Sequence, residues 1–115
     1  MRVLVIEDDD GLADVLERGL ADAGHVVWLE RTGPDGVATA MAETFDALVL
    51  DWMLPGQSGP SVCRELRSRG CEVRFGFVTR DSASEQMRET AFQAGAQFML
   101  ARPFSVQRFR ELLHS

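Results

Sequence analysis

Residues 47–56 read ALVLDWMLPG, and this stretch decides the fold. The first four residues are all apolar, a pattern that is typical of a strand buried on both faces of a parallel sheet. The strand is followed by Asp51, and Pro55 and Gly56 then mark a turn. Open α/β sheets bind their ligands just outside the carboxyl ends of their strands. The stretch therefore predicts a functional carboxylate, Asp51, at that edge of the sheet.

A second strand pattern of the same kind lies at the start of the chain. Residues 3–6 read VLVI, and Glu7 and Asp8 follow directly. Because the carboxyl ends of parallel strands meet at one edge, we expect Glu7, Asp8 and Asp51 to lie close together. Clustered carboxylates repel one another, which favours binding of a hard divalent cation such as Mg²⁺. The sequence therefore predicts a metal-assisted phosphate site.

Strand and helix patterns alternate along the whole chain. Five βα units predict an α/β fold, a doubly wound five-stranded parallel sheet with helices on both faces. A length of 115 residues, with no repeat or linker, indicates one domain over residues 1–115. The predicted strands cover residues 2–6, 25–29, 46–50, 73–79 and 98–101.

Helix starts and inner faces follow from local signals. Asp10 is expected to cap the first helix, with Asp9 in solvent. Ser82 is expected to cap the fourth helix, in a capping box with Glu85. The apolar positions predicted for the inner face of the second helix are Val37, Ala38 and Met41.

Charge and cysteine usage narrow the class of protein. The formal net charge is −6, and all 12 basic residues are arginines. An acidic domain without a basic stripe is not expected to bind nucleic acid or a membrane directly. Cys63 and Cys71 lie in a chain with no signal peptide pattern and no apolar stretch long enough to span a bilayer. These features predict a cytoplasmic protein with reduced thiols.

Two further strand ends, at Thr79 and Arg102, belong to the same predicted edge. A hydroxyl at Thr79 can donate to a phosphoryl oxygen, and the Arg102 guanidinium can do the same. Thr79 is also an ordinary β-branched strand residue. Arg102 is equally compatible with a structural ion pair to the carboxylates.

Several short motifs, in this order and spacing, carry a resemblance to a known family. They are residues 5–9 (VIEDD), 51–56 (DWMLPG) with Gly59, Thr79, 95–96 (GA) and 102–104 (RPF). The chain resembles the receiver domain of bacterial two-component response regulators over essentially its whole length. The resemblance implies the flavodoxin-like (βα)5 receiver fold. The subfamily that it resembles usually carries a winged-helix DNA-binding domain and regulates transcription.

The resemblance implies roles for individual residues. Asp51 is expected to accept a phosphoryl group from a sensor histidine kinase. Glu7 and Asp8 are expected to bind Mg²⁺ together with the Asp51 carboxylate and the backbone carbonyl of Met53. Thr79 is expected to bind the phosphoryl group. Catalysis would be limited to self-catalysed phosphoryl acceptance and autodephosphorylation. A homodimer would form through the face made by the fourth helix, fifth strand and fifth helix.

Three positions depart from the family pattern. Arg102 replaces the usual Lys, and it either binds the phosphoryl group or ties up Asp51 in a resting salt bridge. Arg80 stands where a small residue is usual, and it either covers the acyl phosphate or adds a second cation. Met99 replaces the aromatic switch residue, with Phe98 one place earlier.

These departures leave open a second hypothesis about the function. A third hypothesis, that the chain is a phosphatase or a flavin binder, is weaker. Arg102 and Arg80 could hold the pocket in one state, which would make the chain a phosphorylation-independent interaction or dimerisation module. An Asp-nucleophile phosphatase would be expected to have another Asp at position 53, where Met53 stands. A flavin binder would need a phosphate-binding loop after the first strand, where residues 8–10 are three aspartates.

Overall fold

The computed structural model describes residues 1–114, in which strands and helices alternate. Each strand is short and apolar, and each following helix packs back against the sheet. The elements are β1 (Arg2–Ile6), α1 (Asp10–Asp22), β2 (Val26–Glu30), α2 (Gly33–Ala42), β3 (Ala47–Asp51), α3 (Gly59–Ser68), β4 (Arg74–Thr79), α4 (Glu85–Gln93), β5 (Met99–Ala101) and α5 (Val106–His114).

The five strands of this region form one parallel sheet in the order β2-β1-β3-β4-β5. Ile6 pairs in register with Leu50, and Asp51 pairs with Val78. The predicted doubly wound five-stranded α/β fold is confirmed. Because β1, β3 and β4 are neighbours, the residues at their carboxyl ends lie side by side, and this edge is where the acidic residues meet.

Side chains alternate between the two faces of the sheet and form two separate cores. One core lies under α2, α3 and α4, and the other lies under α1 and α5. Leu4 and Ile6 enter the first core, whereas Val3 and Val5 enter the second. Both faces of β1 and β3 are therefore buried, which explains why residues 3–6 and 47–50 are apolar at consecutive positions rather than at alternate ones.

The boundaries of four strands differ slightly from the prediction. The strands β2 and β3 begin and end one residue later than expected, and β4 and β5 begin one residue later. In β2, Glu30 is part of the ladder because it pairs with Ile6. The strand β2 lies at the edge of the sheet and is only partly buried, so its last residue can be charged.

Two helix caps were predicted at the wrong residue. The Asp9 side chain caps α1 by accepting a hydrogen bond from the Leu12 backbone N–H at 3.0 Å, while Asp10 is an exposed residue of the first turn. Asp9 has extended backbone geometry, as a cap requires. Ser84, rather than Ser82, caps α4, because its hydroxyl accepts from the Met87 backbone N–H at 3.1 Å.

The inner face of α2 also differs from the prediction. Val37 is buried, but Ala38 and Met41 are exposed. The helix approaches β1 through Gly36, where a Cβ atom would lie only 2.4 Å from Ile6 Cδ1. The close approach depends on the absence of a side chain, so hydropathy alone does not reveal it. The buried positions of α2 are Gly33, Gly36, Val37 and Ala40.

Candidate metal and phosphoryl site

Three carboxylates meet at the carboxyl edge of the sheet. Glu7 and Asp8 follow β1, Asp51 is the last residue of β3, and one oxygen from each lies within 4.8 Å of the others. Glu7 is 0 % exposed and Asp51 is 2 % exposed, while Asp8 is half-buried. The structure thus brings together the three side chains that the sequence predicted as metal ligands.

Two oxygens of this cluster have no hydrogen-bond donor. Glu7 Oε2 and Asp51 Oδ2 are buried, and neither accepts a hydrogen bond from any group in residues 1–114. A buried carboxylate oxygen without a partner is costly, so such groups usually bind a metal ion or a proton. A set of clustered carboxylate oxygens is the type of ligand that Mg²⁺ prefers. The residues present therefore fit a Mg²⁺ site.

The same environment changes the proton affinity of the pocket. Burial raises the pKa of Glu7 from its ordinary value of 4.5 to about 8, and the nearby Asp51 carboxyl contributes in the same direction. A hydrogen bond from the Asp9 backbone N–H to Glu7 Oε1, at 3.0 Å, opposes part of this rise. Burial also raises the pKa of Asp51. Without a metal ion, burial therefore favours a protonated carboxyl in the Glu7–Asp51 pair of the folded protein.

The loop after β3 fixes the orientation of Asp51. The Met53 backbone N–H donates to Asp51 Oδ1 at 3.2 Å, and Gly59 N donates to the Trp52 carbonyl at 2.9 Å. A Cβ atom at Gly59 would lie 2.4 Å from the Asp51 carbonyl and 2.9 Å from Phe77 Cε1. No side chain fits there, so glycine is what allows α3 to begin directly beside the carboxylate.

A cavity of about 360 Å³ opens above the strand ends. Its lining includes Asp8, Asp51, Met53, Thr79 and Arg80. Thr79 is the last residue of β4 and is 6 % exposed. The cavity offers room for a phosphoryl group next to Asp51, with the Thr79 side chain on its wall.

The two arginines of the site occupy different places. Arg80 lies over the carboxylates: its Nη2 is 2.9 Å from Asp8 Oδ1 and 3.8 Å from Glu7 Oε1. Its Nε is 3.8 Å from Asp51 Oδ2. Arg102 is farther out, and its ion pair in this cluster is with Asp9, at 4.0 Å.

These positions decide between the alternatives that the sequence left open for the resting site. The salt bridge between Arg102 and Asp51, one of the two alternatives for Arg102, is absent among the ion pairs of residues 1–114, and Arg80 lies beside Asp51 instead. The signal for this was present in the sequence, because Arg80 directly follows the strand end at Thr79. Sequence alone could not show which of two long side chains turns inward.

The position of the usual aromatic switch has no ring. Met99 is 4 % exposed and belongs to the core under α4, together with Ala91. Phe98 belongs to the opposite core, where its ring packs edge-on against Phe109 at 6.0 Å between centroids. Phe98 directly precedes β5 and packs in the opposite core from Met99, so its ring does not take the place of the missing one.

Comparison with known proteins agrees with this geometry. The family model described as the response regulator receiver domain matches residues 3–114. The chain belongs to the response regulator receiver family. Receiver domains of this family are signalling domains of two-component systems rather than classical enzymes.

Named relatives and solved structures show what this receiver domain is similar to. It is 39% identical over 118 residues to response regulator MprA of Mycobacterium avium (strain 104), covering 98% of this chain and 51% of the relative. MprA of Mycobacterium leprae (strain TN) is 38% identical, with 98% and 51% covered. The receiver domain thus spans about half the length of these curated relatives.

Solved receiver domains share the fold at low sequence identity. The receiver domain of the Francisella response regulator 1452 has a TM-score of 0.90 at 21% identity, covering 98% of this chain and 93% of that one. A CheY-like receiver domain protein from Methanospirillum hungatei JF-1 has a TM-score of 0.89 at 23% identity, covering 98% of this chain and 90% of that one.

No helix within residues 1–114 is long and apolar enough to cross a membrane.

Proposed function

We propose that this receiver domain accepts a phosphoryl group on Asp51 from the phosphohistidine of a sensor histidine kinase. An oxygen of the Asp51 carboxylate attacks phosphorus, the P–N bond breaks, and the imidazole nitrogen leaves and takes up a proton. The observation that carries the proposal is the buried Asp51 Oδ2, which has no hydrogen-bond donor and belongs to a residue that lines the cavity.

Glu7, Asp8, the Asp51 carboxylate and the Met53 backbone carbonyl would hold Mg²⁺. A bound Mg²⁺ supplies charge neutralisation for the phosphoryl oxygens. The metal-binding form of Glu7 is the ionised one, so its proton must leave first. The raised pKa of Glu7 therefore makes metal binding stronger at higher pH.

Thr79 and Arg102 would bind the transferred phosphoryl group. The Thr79 hydroxyl would donate to one phosphoryl oxygen from the wall of the cavity. Arg102 is partly exposed, and its backbone N–H donates to the Thr79 carbonyl at 3.1 Å, so the base of its side chain is anchored beside that residue. A planar guanidinium can bind two phosphoryl oxygens through two parallel N–H donors, a fixed geometry that a lysine ammonium does not have.

The output surface would be the face of α4, β5 and α5. Phe92 on this face is 53 % exposed and Leu100 is half-buried, so apolar side chains are available to a partner. We propose homodimerisation through this face in response to phosphate. Residues 1–115 would act as one cytoplasmic receiver domain that does not itself bind nucleic acid, in agreement with its net charge of −6.

The test is phosphorylation with a small donor. Acetyl phosphate and Mg²⁺ should add one phosphoryl group by intact mass, and the adduct should be labile to hydroxylamine. Asp51→Asn should abolish the adduct, whereas the matched control Asp81→Asn, another acid at the cavity, should still be modified. Continued modification of Asp51→Asn, or no modification of the wild type, would count against the proposal.

A phosphorylation-independent interaction module is the second candidate. The observation that favours it is Arg80, which already supplies a positive charge to the three carboxylates. In that case the wild type and Asp51→Asn should dimerise or bind a partner equally, with or without acetyl phosphate. Analytical ultracentrifugation of both proteins under both conditions separates the two functions.

A further inference from the structure

The guanidinium of Arg80 lies among the same carboxylates that would hold Mg²⁺. It donates a hydrogen bond to Asp8 Oδ1 at 2.9 Å, and it lies within 4.0 Å of oxygens of Glu7, Asp9 and Asp51. Three of these four residues form the predicted metal cluster. One side chain thus provides a positive charge to every member of that cluster.

Arg80 is also able to leave. It lies in the loop between β4 and α4, and its side chain is 47 % exposed. Ion pairs made by a side chain this exposed are weak and are screened by salt, so releasing the guanidinium into solvent costs little. A long side chain on a short loop can turn away while its backbone stays in place.

Arg80 and a metal ion cannot both make their best contacts. The Asp8 Oδ1 lone pairs that accept from Arg80 belong to a carboxylate expected to face the metal ion. A guanidinium beside a divalent cation is also repelled by it. Binding of the cation therefore requires the guanidinium to move away from Asp8.

We propose that Arg80 is a tethered internal cation that competes with Mg²⁺ for the acidic site and raises the Mg²⁺ concentration needed to fill it. The inference rests on the proposed Mg²⁺-dependent function of the same site. It assigns to Arg80 a regulatory role: the site stays neutralised and closed at low Mg²⁺, and it opens when the metal displaces the arginine. Arg80 takes no part in bond making.

Arg31 provides the matched control. It is an exposed arginine that directly follows β2 at the same edge of the sheet, but its ion pair is with Asp10, which lies outside the metal cluster. Arg31→Ala deletes the same net charge from this edge. It leaves the hydrogen bond between Arg80 and Asp8 in place, so it separates a general charge effect from direct competition.

The experiment is a Mg²⁺ titration at constant ionic strength and fixed pH, followed by isothermal titration calorimetry and by Trp52 fluorescence. The proteins are the wild type, Arg80→Ala, Arg80→Gln and Arg31→Ala. Because exposed ion pairs are weak, removing Arg80 should lower the Mg²⁺ Kd by roughly three- to tenfold. Arg31→Ala should change Kd by less than about twofold.

The outcomes separate this inference from the proposed function. Equal Mg²⁺ affinity in the wild type and both Arg80 variants would overturn the competition while leaving the metal site intact. A weaker affinity in those variants would reverse the assigned role and make Arg80 a supporting residue. If none of the four proteins binds Mg²⁺, the proposed metal site is wrong, and the proposed competition is wrong as well.

Discussion

The raised pKa of Glu7 makes the stability of the metal-free protein fall as pH rises. In the unfolded chain Glu7 loses its proton near its ordinary pKa of 4.5, whereas in the folded protein it holds the proton until about pH 8. Between these values the folded state binds more protons than the unfolded state. The free energy of unfolding therefore decreases with pH across this window and is unaffected by Glu7 above it.

The magnitude follows from the width of the window. The two pKa values differ by about 3.5 units, and each unit corresponds to about 1.4 kcal/mol, which sets a ceiling of about 5 kcal/mol. Glu7 interacts with Asp51, whose own pKa is raised, and Arg80 partly compensates the charge of the ionised form. We expect roughly half of the ceiling to be measured.

Urea unfolding followed by circular dichroism at pH 5, 6, 7 and 8, in EDTA, measures this loss. Glu7→Gln removes the titrating group and should flatten the profile, whereas Glu72→Gln, at an exposed position, should follow the wild type. Saturating Mg²⁺ should also flatten the wild-type profile, because the metal binds the ionised form. If Glu7→Gln and the wild type lose stability in parallel, the burial of Glu7 is not the cause.

Two further predictions concern local geometry. Gly59→Ala places a Cβ atom 2.4 Å from the Asp51 carbonyl, so it should lower the free energy of unfolding by about 1–3 kcal/mol. Gly11→Ala, in the first turn of α1, serves as the control: its Cβ atom would lie 3.3 Å from Asp9 Oδ1, a contact that a small shift of that side chain relieves, so it should cost less than Gly59→Ala. Equal losses in urea unfolding would refute the steric explanation. Asp9→Ala removes the cap of α1 and should lower the free energy of unfolding by about 1 kcal/mol. Asp10→Ala should lower the free energy of unfolding less, because Asp10 is exposed and its side chain forms an ion pair with Arg31. A larger loss for Asp10→Ala than for Asp9→Ala would indicate that Asp10 is the cap.

The sheet and its acidic edge could be predicted because their signals are local. Uninterrupted apolar runs indicate strands buried on both faces, and the residue after each run must lie at the carboxyl edge. Glu7, Asp8 and Asp51 were therefore placed together from the sequence, and the structure brings their oxygens within 4.8 Å. The topology of parallel βα units leaves little freedom at this level.

The remaining features depend on distances that the sequence does not encode simply. Met41 was expected to be buried because it is apolar, but it is exposed. The helix α2 packs against β1 through Gly36, which allows the close approach because it has no side chain. The cap of α1 shifted by one residue because neighbouring aspartates compete for the same role. Arg80 and Arg102 are both within reach of the acidic site, and only the path of the β4–α4 loop decides that Arg80 covers it.

Phosphoryl acceptance at Asp51 is tested most directly by trapping the acyl phosphate. The receiver domain is treated with acetyl phosphate and Mg²⁺ and then reduced with borohydride, which converts a phosphoaspartate into homoserine. Peptide mass spectrometry should locate homoserine at position 51 and at no other aspartate, and only after treatment with the donor. Homoserine at Asp8, Asp9 or Asp81, or unmodified peptide containing residue 51 after full treatment, would contradict the assignment of Asp51 as the phosphoacceptor.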